Sequence, residues 1–248
     1  MLSAIGTEPY KLMTSSPLTD RFQLVYVDLR GGGRSTGDPT DLSFDVLARD
    51  LEAIRWELGL ERLAVLGHSI LGVLALEYGR RCPGSVSHVV AVGTPTVGDM
   101  QWMTEQGRLY FDTHASEERK QVLRENFANL PKDASMSESM YAQTPIRFYD
   151  AHFDARSLFV DAEVMPALLG HIIGTLTAGW RVAVGARSLQ VPTLVAMGRH
   201  DYIVPVGLWE DVVDDLPDAT LRIFEKSGHQ PFFEEPELFA ETMARWMA

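Results

Sequence analysis

The chain has 248 residues, of which 46% are hydrophobic and 23% are charged, and its formal net charge at pH 7 is −12. This composition is typical of a globular protein and excludes a disordered, collagen-like or coiled-coil chain. The acidic excess disfavours nucleic acid and membranes as partners, and the single cysteine with no evident signal or spanning segment predicts a cytoplasmic location.

Two apolar patterns alternate along the first hundred residues. Residues 22–28 are rich in β-branched and aromatic side chains and end at a glycine turn, which predicts a buried strand. Apolar residues then recur at helical spacing over 44–58, with Ser43 or Asp41 as the N-cap. Residues 63–66 and 86–92 predict strands on either side of a helix over 70–81. The alternation predicts an α/β fold with a mostly parallel sheet and helices on both faces.

The pattern changes after residue 96. From 96 to 185 the sequence predicts helices and no strand, and the clearest helix runs from a capping Ser116 to residue 130. Strands at 192–197 and 220–224 then alternate with helices over 206–216 and 236–247. We therefore predict one core formed by residues 1–95 and 186–248, with a helical cap inserted at 96–185.

Three residues suited to nucleophilic catalysis follow predicted strands. Ser69 stands where a strand runs straight into a helix, Asp201 follows the 192–197 strand, and His229 follows the 220–224 strand. The carboxyl ends of parallel strands meet at one edge of a sheet, so we expect these side chains to converge. A serine hydroxyl needs a base to take its proton, and a carboxylate orients that base. The chain order predicts Ser69 as nucleophile, Asp201 as orienting acid and His229 as base.

With these motifs the chain resembles the α/β-hydrolase superfamily, specifically its proline iminopeptidase-like branch. The resemblance rests on Gly67-His68-Ser69, DLRGGGRS at 28–35, GRHD at 198–201 and SGH at 227–229, and it covers the chain from residue 22 to its end. It implies hydrolysis through an acyl-enzyme without a metal or cofactor. It also implies an oxyanion hole formed by the backbone N–H groups of Ile70 and of Ala4 or Ile5.

Two features depart from the family pattern. Leu71 stands two residues after the serine, where the family has glycine, and Gly72 follows it. A neighbouring strand either leaves space for this leucine, or the leucine perturbs the serine. The family also has strands and a His-Gly-rich loop before the 22–28 strand, where this chain has residues 1–9. We therefore expect these N-terminal strands to be lacking, through a truncated start or through replacement by a partner strand or a rearranged sheet.

The predicted substrate is a small molecule with an ester or amide bond. Aromatic residues of the insertion, among them Trp102, Phe148 and Trp180, are candidates for lining an apolar pocket above Ser69. One alternative is an aminopeptidase that removes N-terminal proline, since residues 112–163 carry ten acidic and six basic side chains that can hold an α-amine. The alternative of another class is a non-catalytic ligand-binding protein of the same fold.

The remaining polar residues have structural interpretations. His68 is predicted to pack under the serine turn, and the pair Glu234-Glu235 is predicted to lie on the surface. The histidines at 114, 152 and 171 form no ligand pattern at helical spacing that suggests a zinc site, so we predict no metal site.

Overall fold

The computed structural model describes residues 1–14 and 16–248. Its strands are β1 (Leu2–Ser3), β2 (Val27–Asp28), β3 (Leu63–His68), β4 (Val86–Val92), β5 (Thr193–Gly198) and β6 (Ala219–Phe224). Strands β3, β4, β5 and β6 pair in that order, and every pair is parallel. Strands β1 and β2 pair separately, also in parallel. The predicted parallel sheet is confirmed.

Helices connect and cover the strands. They are α1 (Glu8–Met13), α2 (Ser16–Thr19), α3 (Phe44–Glu57), α4 (Ile70–Arg81), α5 (Met100–His114), α6 (Glu117–Ala128), α7 (Met136–Ala142), α8 (Thr144–Arg147), α9 (Pro166–His171), α10 (Gly207–Glu210), α11 (Pro231–Glu234) and α12 (Pro236–Trp246). Within the described ranges, no helix is both long and apolar enough to cross a bilayer.

Strands β4 and β5 form the centre of the core because both of their faces are covered. Alternate side chains of a strand point to opposite faces of the sheet. Val89 and Ala91 accordingly belong to one apolar cluster, which includes residues of α3 and α4. Val90 and Val92 belong to a second cluster, which includes residues of α12. This two-sided burial explains the continuous apolar sequence of these strands.

The helix boundaries follow from local capping. The Ser43 hydroxyl accepts a hydrogen bond from the Val46 N–H at 3.2 Å, so Ser43 rather than Asp41 caps α3. The Ser116 hydroxyl accepts one from the Arg119 N–H at 3.1 Å and begins α6. Between residues 96 and 185, the described chain contains helices and one isolated antiparallel bridge, between Val97 and Arg181.

The structure differs from the sequence predictions at three elements. The predicted strand at 22–28 is reduced to the half-buried Val27–Asp28, because β1 offers it partners at those two positions alone among the described residues. The N-terminal strands of the family were expected to be lacking, and the described residues before 22 form one strand, the two-residue β1. The predicted helix over 206–216 is divided into α10 and a 3₁₀ turn at Val213–Asp215.

The first turn of α4 packs directly on the loop after β4. A Cβ atom at Gly72 would overlap the hydroxyl and Cβ of Thr94. We expect Gly72→Ala to lower the free energy of unfolding by at least about 2 kcal/mol through overpacking.

Gly170→Ala is the matched control because its added Cβ meets open space on α9. It should leave stability unchanged or raise it by up to about 1 kcal/mol, since alanine favours helix. Urea unfolding of both variants measures the difference, and equal stabilities would contradict this packing.

Candidate active site

The turn at Ser69 joins β3 to α4 through a strained backbone. Ser69 has φ 57° and ψ −134°, and among the described residues it is the one non-glycine position with positive φ. Its N–H donates to the Val92 carbonyl oxygen of β4 at 2.8 Å, which holds the turn against the sheet. Such strain costs on the order of 1–3 kcal/mol and persists where surrounding structure enforces it.

The residue after this turn is accommodated in the core. Leu71 is buried and belongs to the same apolar cluster as Leu2 and Ala4. The close approach between α4 and its neighbours falls instead at Gly72, against Thr94. Leu71, which stands where the family pattern has glycine, is therefore packed in the core.

Asp201 and His229 form a fully buried hydrogen-bonded pair. The His229 Nδ1 and Asp201 Oδ2 atoms are 2.7 Å apart, and both side chains have no solvent exposure. The other carboxylate oxygen, Oδ1, accepts the N–H groups of Ile203 and Val204, each at 2.9 Å. A carboxylate that accepts from Nδ1 fixes the ring so that Nε2 is the basic nitrogen.

The third residue, Ser69, lies beside this pair but is not hydrogen-bonded to it. Ser69 and His229 both line a cavity of about 180 Å³. The buried His229 Nε2 has no hydrogen-bond partner among residues 1–14 and 16–248. Catalytic hydrogen bonds are often long before a substrate is bound. The structure thus brings two of the three predicted residues into contact and sets the third at the same cavity.

The His68 ring packs against the His229 ring. The rings of His68 and His229 have centroids 4.7 Å apart, and His68 Nε2 lies 2.9 Å from the His229 carbonyl oxygen. The Tyr10 hydroxyl lies 3.3 Å from His68 Nδ1. Burial, and then the nearby His229, lower the pKa of His68 well below its usual value. His68 is therefore a neutral support for the base at neutral pH.

The predicted oxyanion donors also lie at the 180 Å³ cavity. Ala4 follows β1 and Ile70 begins α4, and both residues line the cavity beside Ser69. The first N–H groups of a helix have no carbonyl partner within it, so the Ile70 N–H suits an anion. The Ser3 hydroxyl donates to the Gly6 carbonyl oxygen at 2.6 Å and accepts the Ile5 N–H at 3.2 Å, which fixes the loop.

Glu234 and Glu235 are not the surface pair that the sequence suggested. Glu235 Oε2 accepts the Lys226 N–H at 2.9 Å and the Ser227 hydroxyl at 2.7 Å. Glu234 accepts the Gly228 N–H at 2.8 Å. Both carboxylates thus hold the loop that carries His229. These contacts join the end of α11 to a preceding loop, and the charge pattern carries no signal for them.

Glu234 also ties the insertion to this loop. Its Oε1 accepts the Tyr149 N–H at 2.6 Å, while its Oε2 accepts the Gly228 N–H. Burial raises the pKa of the Glu234 carboxyl to about 8, against the opposing effect of these N–H groups. One carboxyl therefore bridges the segment after α8 and the loop before His229.

The aromatic residues predicted to line the pocket lie elsewhere. Phe148 is buried against the rings of Phe153 and Phe233. The Trp180 Nε1–H donates to Glu77 at 3.0 Å, and Trp102 is partly exposed on α5. Composition shows that residues 96–185 contain many aromatic side chains, but it does not show which helix faces point toward Ser69.

A different and mostly apolar cavity adjoins Ser69. Its volume is about 310 Å³, and it lies between α5, α6 and the loop after β5. It is lined by Ser69, Ile70, Pro95, Met100, Met103, Thr104, Gly107, Arg108, Phe111, Leu123, Ile146, Tyr202, Ile203 and Val204. Apolar walls of this kind bind hydrocarbon groups. In the described chain, His, Cys, Asp and Glu side chains do not gather in threes as a metal site requires.

The chain is similar to known proteins over most of its length. The sequence model of a family described as alpha/beta hydrolase fold matches residues 4–236. The AB hydrolase superfamily protein YclE of Bacillus subtilis (strain 168) is 32% identical, covering 96% of this chain and 88% of that protein. A proline iminopeptidase of Lactiplantibacillus plantarum is 27% identical, covering 91% of this chain and 82% of that protein.

A solved structure shares the fold. The α/β fold family hydrolase from Bacillus anthracis str. Sterne matches with a TM-score of 0.71 at 22% identity. The match covers 93% of this chain and 84% of that chain.

The buried Glu234 predicts a pH-dependent stability. A carboxyl whose folded pKa of about 8 exceeds its ordinary 4.5 contributes stability that is complete below 4.5 and is lost as the pH rises through 8. We expect the free energy of unfolding to fall between about pH 5 and pH 8, and to fall less in Glu234→Gln.

The exposed Glu237→Gln on α12 is the control and should retain the wild-type slope. Urea unfolding at several pH values measures the slopes. A Glu234→Gln slope equal to that of wild type would contradict the role of this carboxyl.

Proposed function

The chain belongs to the α/β-hydrolase family and is a hydrolase, and from this premise we propose that it cleaves an ester or amide bond of a small molecule through an acyl-enzyme on Ser69. The observation that carries the proposal is the buried Asp201–His229 pair beside the strained Ser69 turn. A base oriented by a carboxylate and facing a serine at one cavity is the arrangement that acyl transfer requires.

Each group has a defined task in the proposed reaction. His229 Nε2 takes the proton of the Ser69 hydroxyl as the serine oxygen attacks the substrate carbonyl carbon. Asp201 stabilises the imidazolium that results, and the N–H groups of Ile70 and Ala4 receive the carbonyl oxygen as it becomes negative. His229 then gives the proton to the leaving group. Water attacks the acyl-enzyme by the same route and restores Ser69.

The larger cavity supports an apolar acyl group. Met103, Phe111 and Ile146 contribute hydrocarbon surface to its wall, and all three belong to the segment 96–185. We therefore assign this segment the role of a cap that forms the acyl pocket over residues 1–95 and 186–248. A volume of about 310 Å³ is of the size that binds small ligands.

The charges at the two cavities favour an esterase over a proline-specific aminopeptidase. An aminopeptidase needs a negative group to hold the substrate ammonium. The charged side chains that line the cavities, apart from the histidines, are Arg108 and Arg147, and among the described residues no carboxylate lines them. Arg108 pairs with Asp112 at 2.9 Å, whereas Arg147 has no carboxylate partner in the described chain, so the Arg147 guanidinium would repel an ammonium.

The strained serine favours an enzyme over a non-catalytic binding protein. A binding protein gains nothing from a non-glycine residue in the left-handed region, which relaxes unless function retains it. Ser69 keeps this conformation beside the cavity that His229 also lines, and the buried His229 Nε2 has no hydrogen-bond partner among residues 1–14 and 16–248.

Replacing the proposed catalytic groups tests the mechanism. We expect Ser69→Ala to abolish turnover of p-nitrophenyl esters, and Asp201→Asn to lower kcat by roughly 10⁴-fold because the wrong tautomer of His229 is stabilised. Steady-state kinetics measures both, and circular dichroism checks that the fold is kept. Turnover by the folded Ser69→Ala variant at the wild-type rate would show that another residue is the nucleophile.

The apolar cavity predicts a preference for longer acyl chains. Each buried methylene contributes about 0.8 kcal/mol, so kcat/KM should increase up to about fourfold per methylene from acetate to hexanoate. We expect Thr104→Trp, which fills the cavity rim, to reduce the preference for hexanoate.

Thr113→Trp is the matched control, because Thr113 is exposed on the same helix and its hydroxyl also bonds the carbonyl four residues earlier. A chain-length profile that is flat in wild type, or altered equally by both variants, would contradict this assignment of the cavity.

A further inference from the structure

The 180 Å³ cavity contains an arginine that the proposed mechanism does not use. Arg147 ends α8 and lines this cavity together with Ser69 and His229. Its Nε donates to Gln143 Oε1 at 3.1 Å, and within the described chain its two terminal nitrogens have no hydrogen-bond acceptor and no carboxylate partner.

Other buried or partly buried arginines of the chain have acceptors, and Arg119 donates to three carbonyl oxygens. Arg30, Arg55 and Arg80 each pair with a carboxylate, at 2.6, 2.8 and 2.6 Å. Arg147 is partly buried, and its burial lowers the pKa of the guanidinium against the opposing effect of the nearby Asp201 carboxylate, so the site holds this cation at a cost. A guanidinium retained at that cost beside the serine calls for an anionic partner, and a substrate carboxylate supplies one.

Gln230 gives a second, independent indication. It follows His229, is 1% exposed, and lines the same cavity. Its Oε1 is buried and has no hydrogen-bond partner among residues 1–14 and 16–248. An unsatisfied buried polar atom costs about 1–3 kcal/mol, and an amide oxygen accepts but does not donate, so a ligand N–H or O–H group, such as the N–H of an amide substrate, is expected beside it.

The position of the base decides which part of the substrate enters this cavity. The Arg147 carbonyl oxygen accepts the His229 N–H at 2.6 Å, so the arginine and the base are fixed to each other. The described lining of the larger apolar cavity includes Ser69 but not His229. His229 must deliver a proton to the leaving group, so the leaving group lies on the side of His229 and Arg147.

We propose that the leaving group carries a carboxylate, which binds the Arg147 guanidinium, while an apolar acyl group fills the larger cavity. The substrate is then an apolar acyl ester of a hydroxy acid, or the corresponding amide of an amino acid. This inference rests on the proposed function. Ser69 Oγ bonds to the acyl carbon, the bond to the leaving oxygen or nitrogen breaks, and the serine proton reaches that atom through His229. Water releases the apolar acid.

A matched pair of chromogenic esters tests the inference. The esters are 3-carboxy-4-nitrophenyl hexanoate and its neutral isostere, 3-carbamoyl-4-nitrophenyl hexanoate. Both form the same acyl-enzyme, so a difference in kcat/KM, corrected for the rates of hydroxide hydrolysis, belongs to recognition of the leaving group. We expect wild type to prefer the carboxylate by roughly 10-fold or more, as charge-assisted hydrogen bonds allow.

Variants then locate the preference. Arg147→Gln should reduce the carboxylate-to-amide ratio to about one or below, and Arg147→Lys should retain part of it, because an ammonium keeps the charge but loses the bidentate geometry. Arg124→Gln is the control: it removes one exposed positive charge from α6, outside both cavity linings, and should keep the wild-type ratio.

Several outcomes would overturn the inference while leaving the proposed function intact. They are a wild-type ratio near one with both esters hydrolysed, an unchanged ratio in Arg147→Gln, and an equal loss on both esters in that variant, which would indicate that Arg147 serves the oxyanion. If wild type shows no Ser69-dependent hydrolysis of either ester, the proposed function itself fails, and the inference fails with it.

Discussion

The Asp201 carboxylate has no solvent exposure, and the surrounding hydrogen-bond donors compensate for its burial. A buried carboxylate is tolerated when each oxygen has donors. Two backbone N–H groups satisfy Oδ1, and the His229 ring satisfies Oδ2 at 2.7 Å. This leaves His229 Nε2 as the reactive atom of the pair. The buried Asp201 carboxylate thus determines the tautomer of His229.

The loop that carries His229 is held from several directions. Glu234 and Glu235 accept its N–H and hydroxyl groups, His68 supports the ring, and the Arg147 carbonyl oxygen accepts the His229 N–H. Because Glu234 also accepts the Tyr149 N–H after α8, hydrogen bonds join that segment to the loop of His229. Residues 96–185 therefore contribute both cavity walls and hydrogen bonds that hold the loop of His229.

The sheet and the candidate catalytic residues were predictable because their signals are local. Strands β3 to β6 have short apolar sequences ending at turns, and Ser69, Asp201 and His229 stand directly after or close after such ends. What depends on distant partners was not predictable. Residues 22–26 have strand-like side chains, but a strand needs a neighbour, and β1 reaches residues 27 and 28 alone within the described chain. The aromatic pocket residues, the Glu234–Glu235 contacts and the cavity position of Arg147 depend in the same way on how the insertion packs.

The central claim is that Ser69 is activated by the buried pair in the folded protein, and covalent trapping tests it most directly. The folded protein is treated with a fluorophosphonate, and intact and peptide mass spectrometry locate the adduct. Activation by His229 predicts one adduct, on the peptide containing Ser69, formed far more slowly in His229→Ala and lost on unfolding. An unlabelled folded protein, or a Ser69 adduct formed equally fast without His229, would contradict the account.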